Sequence, residues 1–283
     1  MRVAGIYSEI YASLASNKAL FPSLPEITIR LRETLNDPRT NLASAAKLLK
    51  QDPGLSVFLM RMANNVHYMT RVPAADLEGA LRRIGLPAAS QLATSFAIRS
   101  SFDSPSPALR RVLLTAYREA TRVSVISYFL AEKVRAFPPG RAMLAGLLQD
   151  IALPPILQRL WERPEIFNDP EKRGEAVDQL APLVGVLILK GWGFDEELIE
   201  VVRSRKQWAR DPAKKPDLAD IVLIARLHSL IGTPEFRNCP SFGEVPAFHK
   251  LPLGELTPDQ SLKMLEESRE EIAELARILG GGA

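Results

Sequence analysis

The 283-residue chain has a single cysteine, Cys239, and three histidines. One thiol closes no internal disulfide and offers no cysteine cluster to zinc, which suits a reducing compartment. Cys239 therefore reads as a buried or loop thiol. No long hydrophobic run is present. The longest apolar stretch, Leu180 to Leu189, is interrupted by Pro182 and followed by Lys190, far short of the roughly 20 residues a bilayer span needs. Glu9 and polar residues stand where an export signal would carry its apolar segment, so the expectation is a cytoplasmic chain with no membrane association. Excess charge of one sign is missing too: 36 Lys and Arg face 33 Asp and Glu, a formal +3. So thin a surplus does not point to nucleic acid as a partner. Also absent are strand-like alternation, hairpin turns, internal repeats, a glycine-rich phosphate loop and a Gly-x-Ser-x-Gly nucleophile elbow.

What is present is helix. With 46% hydrophobic and 24% charged residues, the chain can bury a full core. Apolar residues recur at helical spacing in Leu55, Phe58, Leu59, Met62 and Ala63, and again in Leu77, Ala80, Leu81 and Ile84, so the expected class is all-α. Asp52-Pro53, Ser106-Pro107 and Thr257-Pro258 each put a capping side chain before a proline suited to the first helical turn, and Gln260 completes a capping box with Thr257. Gly85 follows Ile84 as a left-handed helix end would require. About a dozen helices are expected. The run Ser-Phe-Asp-Ser-Pro-Ser-Pro at 101–107 marks a seam before a long helix at about 108–135. The predicted organisation is an N-terminal helix at 1–20, a domain at 21–210 in two packed helical halves (about 21–104 and 105–210), and a helical extension at 211–283. Within the extension, 233–256 carries Pro234, Pro240, Gly243, Pro246, Pro252 and Gly254 and reads as a long loop. The stripe Leu262, Leu265, Ile272, Leu275, Ala276 and Leu279 predicts an amphipathic helix that docks on its own chain or serves oligomerisation.

Four stretches in order carry a family resemblance. Leu24-Pro25 opens an amphipathic helix toward Leu35, with Asp37-Pro38 behind it. Gln51-Asp52-Pro53-Gly54-Leu55 leads into Ala63-Asn64-Asn65 and Tyr68. Leu77 to Gly85 is the third. The fourth is Ala145-Gly146-Leu147-Leu148-Gln149-Asp150-Ile151, with Gly191-Trp192-Gly193-Phe194 further on. In order and spacing over residues 20–210 they resemble the HD-related output domain (HDOD) family, a degenerate branch of the HD metal-dependent phosphohydrolases. The resemblance implies an HD-like multi-helix fold and a signalling or regulatory role.

The resembled enzymes hold a divalent metal with a histidine, a His-Asp dipeptide and a later aspartate, and the metal turns bound water into a nucleophile. This sequence has no His-Asp dipeptide. Gln149-Asp150 stands at that position, Glu119 with Ala120 at the earlier histidine, and Arg226, in Ile224-Ala225-Arg226-Leu227, where the later aspartate falls. The resemblance therefore implies a vestigial pocket of Glu119, Gln149, Asp150 and Arg226, with no catalytic residue, metal or cofactor. If these positions converge, Arg226 is expected to replace the ion by a bidentate fork to Asp150, to Glu119, or to both. His67, His228 and His249 have no ligand spacing to one another and read as surface or capped residues.

Two other functions compete with a regulatory module that binds a signalling protein. One is a phosphohydrolase with altered ligands, in which Asp150 and Glu119 hold a hard cation such as magnesium through oxygen. The other is a nucleotide or nucleic-acid binder built on Arg203, Arg205, Lys206, Trp208, Arg210, Lys214 and Lys215, where cations beside an aromatic meet phosphate and base. A nucleotide second messenger would make its contacts through Arg203, Arg205, Lys206 and Trp208; the small net charge disfavours nucleic acid.

Overall fold

The computed structural model describes residues 3–15, 26–37, 39–65, 72–251 and 258–280. Among these there is no strand. His67, Tyr68, the Leu24-Pro25 pair, Pro38, Pro252, Gly254 and the Thr257 half of the expected capping box lie outside the described residues.

Local sequence sets the helix starts. Helix α1 (Val3–Ala15) precedes α2 (Glu26–Asn36), α3 (Leu42–Leu49), α4 (Pro53–Ala63), α5 (Leu77–Ile84) and α6 (Leu86–Ile98). Asp52 Oδ1 accepts from Leu55 N at 2.9 Å with Pro53 in the first turn, the pattern expected of an N-cap. Gly85 departs from expectation. It has positive φ (83°), but its ψ of 147° is extended, so it turns the chain from α5 directly into α6 instead of closing α5 in the left-handed region.

The second half is built around α7 (Pro107–Val134), α8 (Pro139–Leu148), α9 (Leu153–Trp161), α10 (Pro164–Phe167), α11 (Pro170–Gly191), α12 (Glu196–Arg203) and α13 (Leu218–Leu230). Every residue of α13 from Leu218 to Ser229 is buried, as in a helix that is enclosed on all sides. It packs against α7, α8 and α12.

Two buried apolar clusters correspond to two packed helical halves. One runs from Leu35 through Ala93 and takes in Val125, Tyr128, Phe129 and Met143 from α7 and α8. The other begins with Ile6 and Ile10, resumes at Ile98 and Phe102, and continues to Leu251. The change of core thus falls inside α6, between Ala93 and Ile98, a few residues before 101–107. Helix α7 contributes to both cores, and α8 crosses it closely because Gly146 has no side chain. A Cβ there would stand 2.7 Å from Ser124 Cα.

Two expectations change in the extension. The span 233–256 is not a plain loop: 3-10 turns at Pro234–Asn238 and Phe242–Glu244 are followed by α14 (Pro246–Lys250). A reciprocal Ser241/Glu244 cap orders this strap, and Phe242, Val245, Phe248 and Leu251 are buried in the second core. Its prolines start short helical turns, and its apolar side chains hold them down. The C-terminal stripe is divided between α15 (Pro258–Glu267) and α16 (Arg269–Ile278). Leu275 and Leu279 are buried in the first core, and Tyr117 Oη donates to the Leu279 carbonyl at 2.8 Å. Leu275 and Leu279 therefore dock on their own chain, while Leu262, Leu265, Ile272 and Ala276 are partly buried.

Gly146→Ala is expected to lower stability by about 1–3 kcal/mol, since backbone rather than a flexible side chain obstructs the added methyl. Gly174→Ala in α11, where the new Cβ meets nothing within 4 Å, should be neutral or add up to about 1 kcal/mol. Chemical denaturation of the two variants checks the contrast.

Candidate functional site

Asp150 lies in the turn between α8 and α9, at 2% exposure. It follows Gly146-Leu147-Leu148-Gln149, all buried, so the close α7–α8 crossing carries this carboxylate into the interior. Arg205 reaches it from the turn after α12, donating from Nε to Asp150 Oδ1 at 2.6 Å. Arg226 reaches it from α13, donating from Nη1 to Asp150 Oδ2 at 3.0 Å and to Gln149 Oε1 at 2.8 Å. Gln149 Nε2 donates to the Gly146 carbonyl at 3.1 Å. Arg205 Nη1 also donates to Asp178 Oδ1 of α11 at 2.8 Å, and Lys206 Nζ meets both oxygens of Asp178 at 2.8 Å. Asp178 thus links the buried triad to the surface.

Burial alone would raise the Asp150 carboxyl, but the charges and hydrogen bonds of Arg205 and Arg226 overcome it and hold it well below the ordinary range. Glu119, on α7, has the opposite balance. Desolvation pushes its carboxyl up and Asp150's charge adds to this, while Arg226 and Arg205 offset part of the rise.

Gln149, Asp150 and Arg226 come together, and Glu119 lines the same cavity. The expected bidentate fork does not form: Arg226 uses Nη1 alone, because Arg205 already holds the other Asp150 oxygen, and Glu119 receives no hydrogen bond from it. The phosphate-contact set divides. Arg205 and Lys206 are paired with carboxylates, whereas Trp208 lines the cavity and packs against the second core. Arg203 stands apart from the cavity and pairs with Glu196 at 2.7 Å and with Glu200. Arg210 is drawn into a second buried network with Asp217 and Asp220.

His228 is not a surface residue. It is 3% exposed, its Nδ1 lies 2.8 Å from the Ile224 carbonyl, and its ring meets Phe242 at 4.4 Å. Desolvation, partly offset by the Ile224 hydrogen bond, pushes its pKa down to about 4. His249 is exposed, with Nε2 2.8 Å from the Gly243 carbonyl.

The cavity beside the triad has a volume of about 830 Å³. Apolar side chains from α7, α9 and α11 form one wall, and the strap after α13 contributes Glu235, Asn238 and Cys239. These residues do not fit a divalent cation. Both Asp150 oxygens are engaged by guanidinium groups, and the Gln149 amide oxygen accepts from Arg226. Two fixed cations stand where a metal would need unblocked oxygen or nitrogen lone pairs. Among the described residues, no three His, Cys, Asp or Glu side chains are grouped to hold a metal.

The Asp150–Arg205 contact was missed by sequence reasoning, as was the Asp220 network. Nothing in spacing tied Arg205 to a residue 55 positions away. The Asp217-Leu-Ala-Asp220 capping pattern was a readable signal for α13: the structure forms that reciprocal cap.

Comparison with known proteins identifies the family and the fold. The HDOD domain, as a sequence family, matches residues 21–208. A candidate metal-dependent phosphohydrolase from Shewanella amazonensis SB2B is 23% identical, with a TM-score of 0.77 over 98% of this chain and 99% of that one. An HDOD domain protein of unknown function from Geobacter sulfurreducens is 21% identical, with a TM-score of 0.63 over 95% of this chain and 97% of that one. An uncharacterized protein of Treponema pallidum (strain Nichols) is 21% identical over 78% of this chain, and the match spans only 44% of that protein's length.

Removing one partner of the triad should cost roughly 3–5 kcal/mol, as expected when a buried charge loses its counter-charge. Arg226→Ala and Asp150→Asn should each show this, and the double variant should cost less than their sum. Additive energies in a denaturant double-mutant cycle would show the contact to be energetically idle. Acid behaviour separates two groups. His228 binds a proton more readily unfolded than folded, so stability is intact above about 6.5 and falls as pH drops toward about 4. The Asp150 contribution is present above about 3.9 and disappears only below it. His228→Asn should flatten the upper limb of a plot of urea midpoint against pH, and Asp150→Asn the lower.

Proposed function

Since the chain belongs to the HDOD domain family, we infer that it is a non-catalytic regulatory protein whose inherited pocket binds and signals instead of hydrolysing. One observation carries the reading: Asp150, at the position of the resembled His-Asp aspartate, is ion-paired through one oxygen to Arg205 and through the other to Arg226. Metal-assisted hydrolysis requires an unblocked carboxylate to hold the cation and a site for the bound water. Here each carboxylate oxygen accepts from a guanidinium N–H, and the glutamine before Asp150 is hydrogen-bonded into the same network. The ion triad supports a structural use of the old ligand positions: it joins the α8 turn, the end of α12 and α13 around an open cavity.

The regulatory role itself rests on family membership, and the partner follows as a signalling protein that reads the state of this helical assembly. No helix among the described residues is long and apolar enough to cross a membrane.

The purified protein should bind manganese, iron or zinc with no stoichiometric site in calorimetry and show no metal-stimulated release of 4-nitrophenol from bis(4-nitrophenyl) phosphate. A chelator-resistant equivalent of metal, or turnover abolished by Asp150→Asn, would reverse this reading.

A further inference from the structure

We propose that the cavity beside Asp150 is a binding site for a small organic anion, seated by its phosphate or carboxylate on Arg226 and Arg122 and by its apolar body on the cavity's apolar lining. This deepens the non-catalytic reading above and rests on it.

The argument begins with Arg226. Its side chain is 10% exposed, and both its hydrogen bonds leave from Nη1. Nε is buried without a partner. Nη2 makes no hydrogen bond among the described residues and, unlike Nε, is not buried, so it is the donor that an acceptor in the cavity can reach.

Charge accounting points the same way. Asp150 and Asp178 are held by Arg205, Arg226 and Lys206, which leaves one positive charge in excess in that network. Arg122 and Arg173 also line the cavity. Arg122 is exposed and makes no ion pair among the described residues. Arg173 is bonded to the Phe167 carbonyl and lies over the Phe167 ring, 5.5 Å from its centroid. Glu119 and Glu235 offset these two, which leaves the single excess charge of the network in which Arg226 is fixed by Asp150 and Gln149. The lining therefore carries a net positive charge with a rigid cation at its base, and one monoanion would balance it.

The shape fits a small molecule. A volume of about 830 Å³ lies within the roughly 300–1,000 Å³ usual for ligand pockets. Val112, Leu153, Leu157 and Val177 supply apolar surface in the same cavity, so a bare inorganic ion would leave most of it unused.

Calorimetry at constant ionic strength with hexyl phosphate, hexanoate and hexan-1-ol tests this. At least one anion should bind about tenfold or more tightly than the alcohol, a difference of about 1.4 kcal/mol. The tighter of the two identifies the headgroup. Arg122→Gln should weaken the anion about tenfold and leave alcohol binding and melting temperature unchanged. Arg226→Gln serves as a second variant if it folds. Equal affinity for the alcohol, no saturable anion binding, or indifference to Arg122→Gln would each overturn the proposal and leave the non-catalytic reading in place. Release of inorganic phosphate from hexyl phosphate would overturn that reading as well.

Discussion

A buried carboxylate between two guanidiniums is the constraint around which the second half of the molecule is arranged. Asp150 is brought into the interior by the close approach of α8 to α7, so charge compensation must also come from inside. Arg205 and Arg226 provide it from separate segments. Each arginine offsets part of the cost of burying Asp150, and their charges hold it ionised. The cavity, the placement of α13 and the link through Asp178 to the surface all follow from satisfying that one group.

The same physical solution recurs nearby. Asp220, at 0% exposure on α13, pairs with Arg210, and Lys250 of α14 approaches it at 3.8 Å. Lys250 also meets Asp211 at 2.8 Å. An ionic contact of this kind, with the buried phenylalanines of the strap, ties residues after α13 back to the helix they leave. The strap stays close to the cavity mouth because it is anchored at Phe242 and Phe248 on one side and at Lys250 on the other.

Local chemistry was legible in the sequence where it acts over a few residues. Asp52 as a cap, the helical stripes at 55–63 and 77–84, and the long α7 are properties of neighbours in the chain. The convergence of Gln149, Asp150 and Arg226 was legible only through family resemblance, which supplies distances that periodicity does not. Arg205 was read with Arg203, Lys206 and Trp208 as a phosphate contact, and a basic run gives no sign of which member turns inward to a carboxylate. The strap at 233–256 looked like a loop because its prolines hid the apolar side chains that bury it. His228 lay one residue after Leu227, and with α13 enclosed on every side there was no polar face to place it on.

The docking of α16 also affects how the chain must be made. The first core draws Leu275 and Leu279 from the far end of the sequence, together with Val125, Tyr128, Phe129 and Met143 from its middle. During synthesis, residues 35–93 therefore emerge long before the side chains that complete their packing. Their apolar faces are not fully covered until residues 275–279 have been made and docked. Such dependence on contacts distant in sequence slows folding and favours attendance by a chaperone. Once α16 is in place, one hydrogen bond from Tyr117 to the Leu279 carbonyl joins it to a helix that serves both cores, so neither half is finished until the other is.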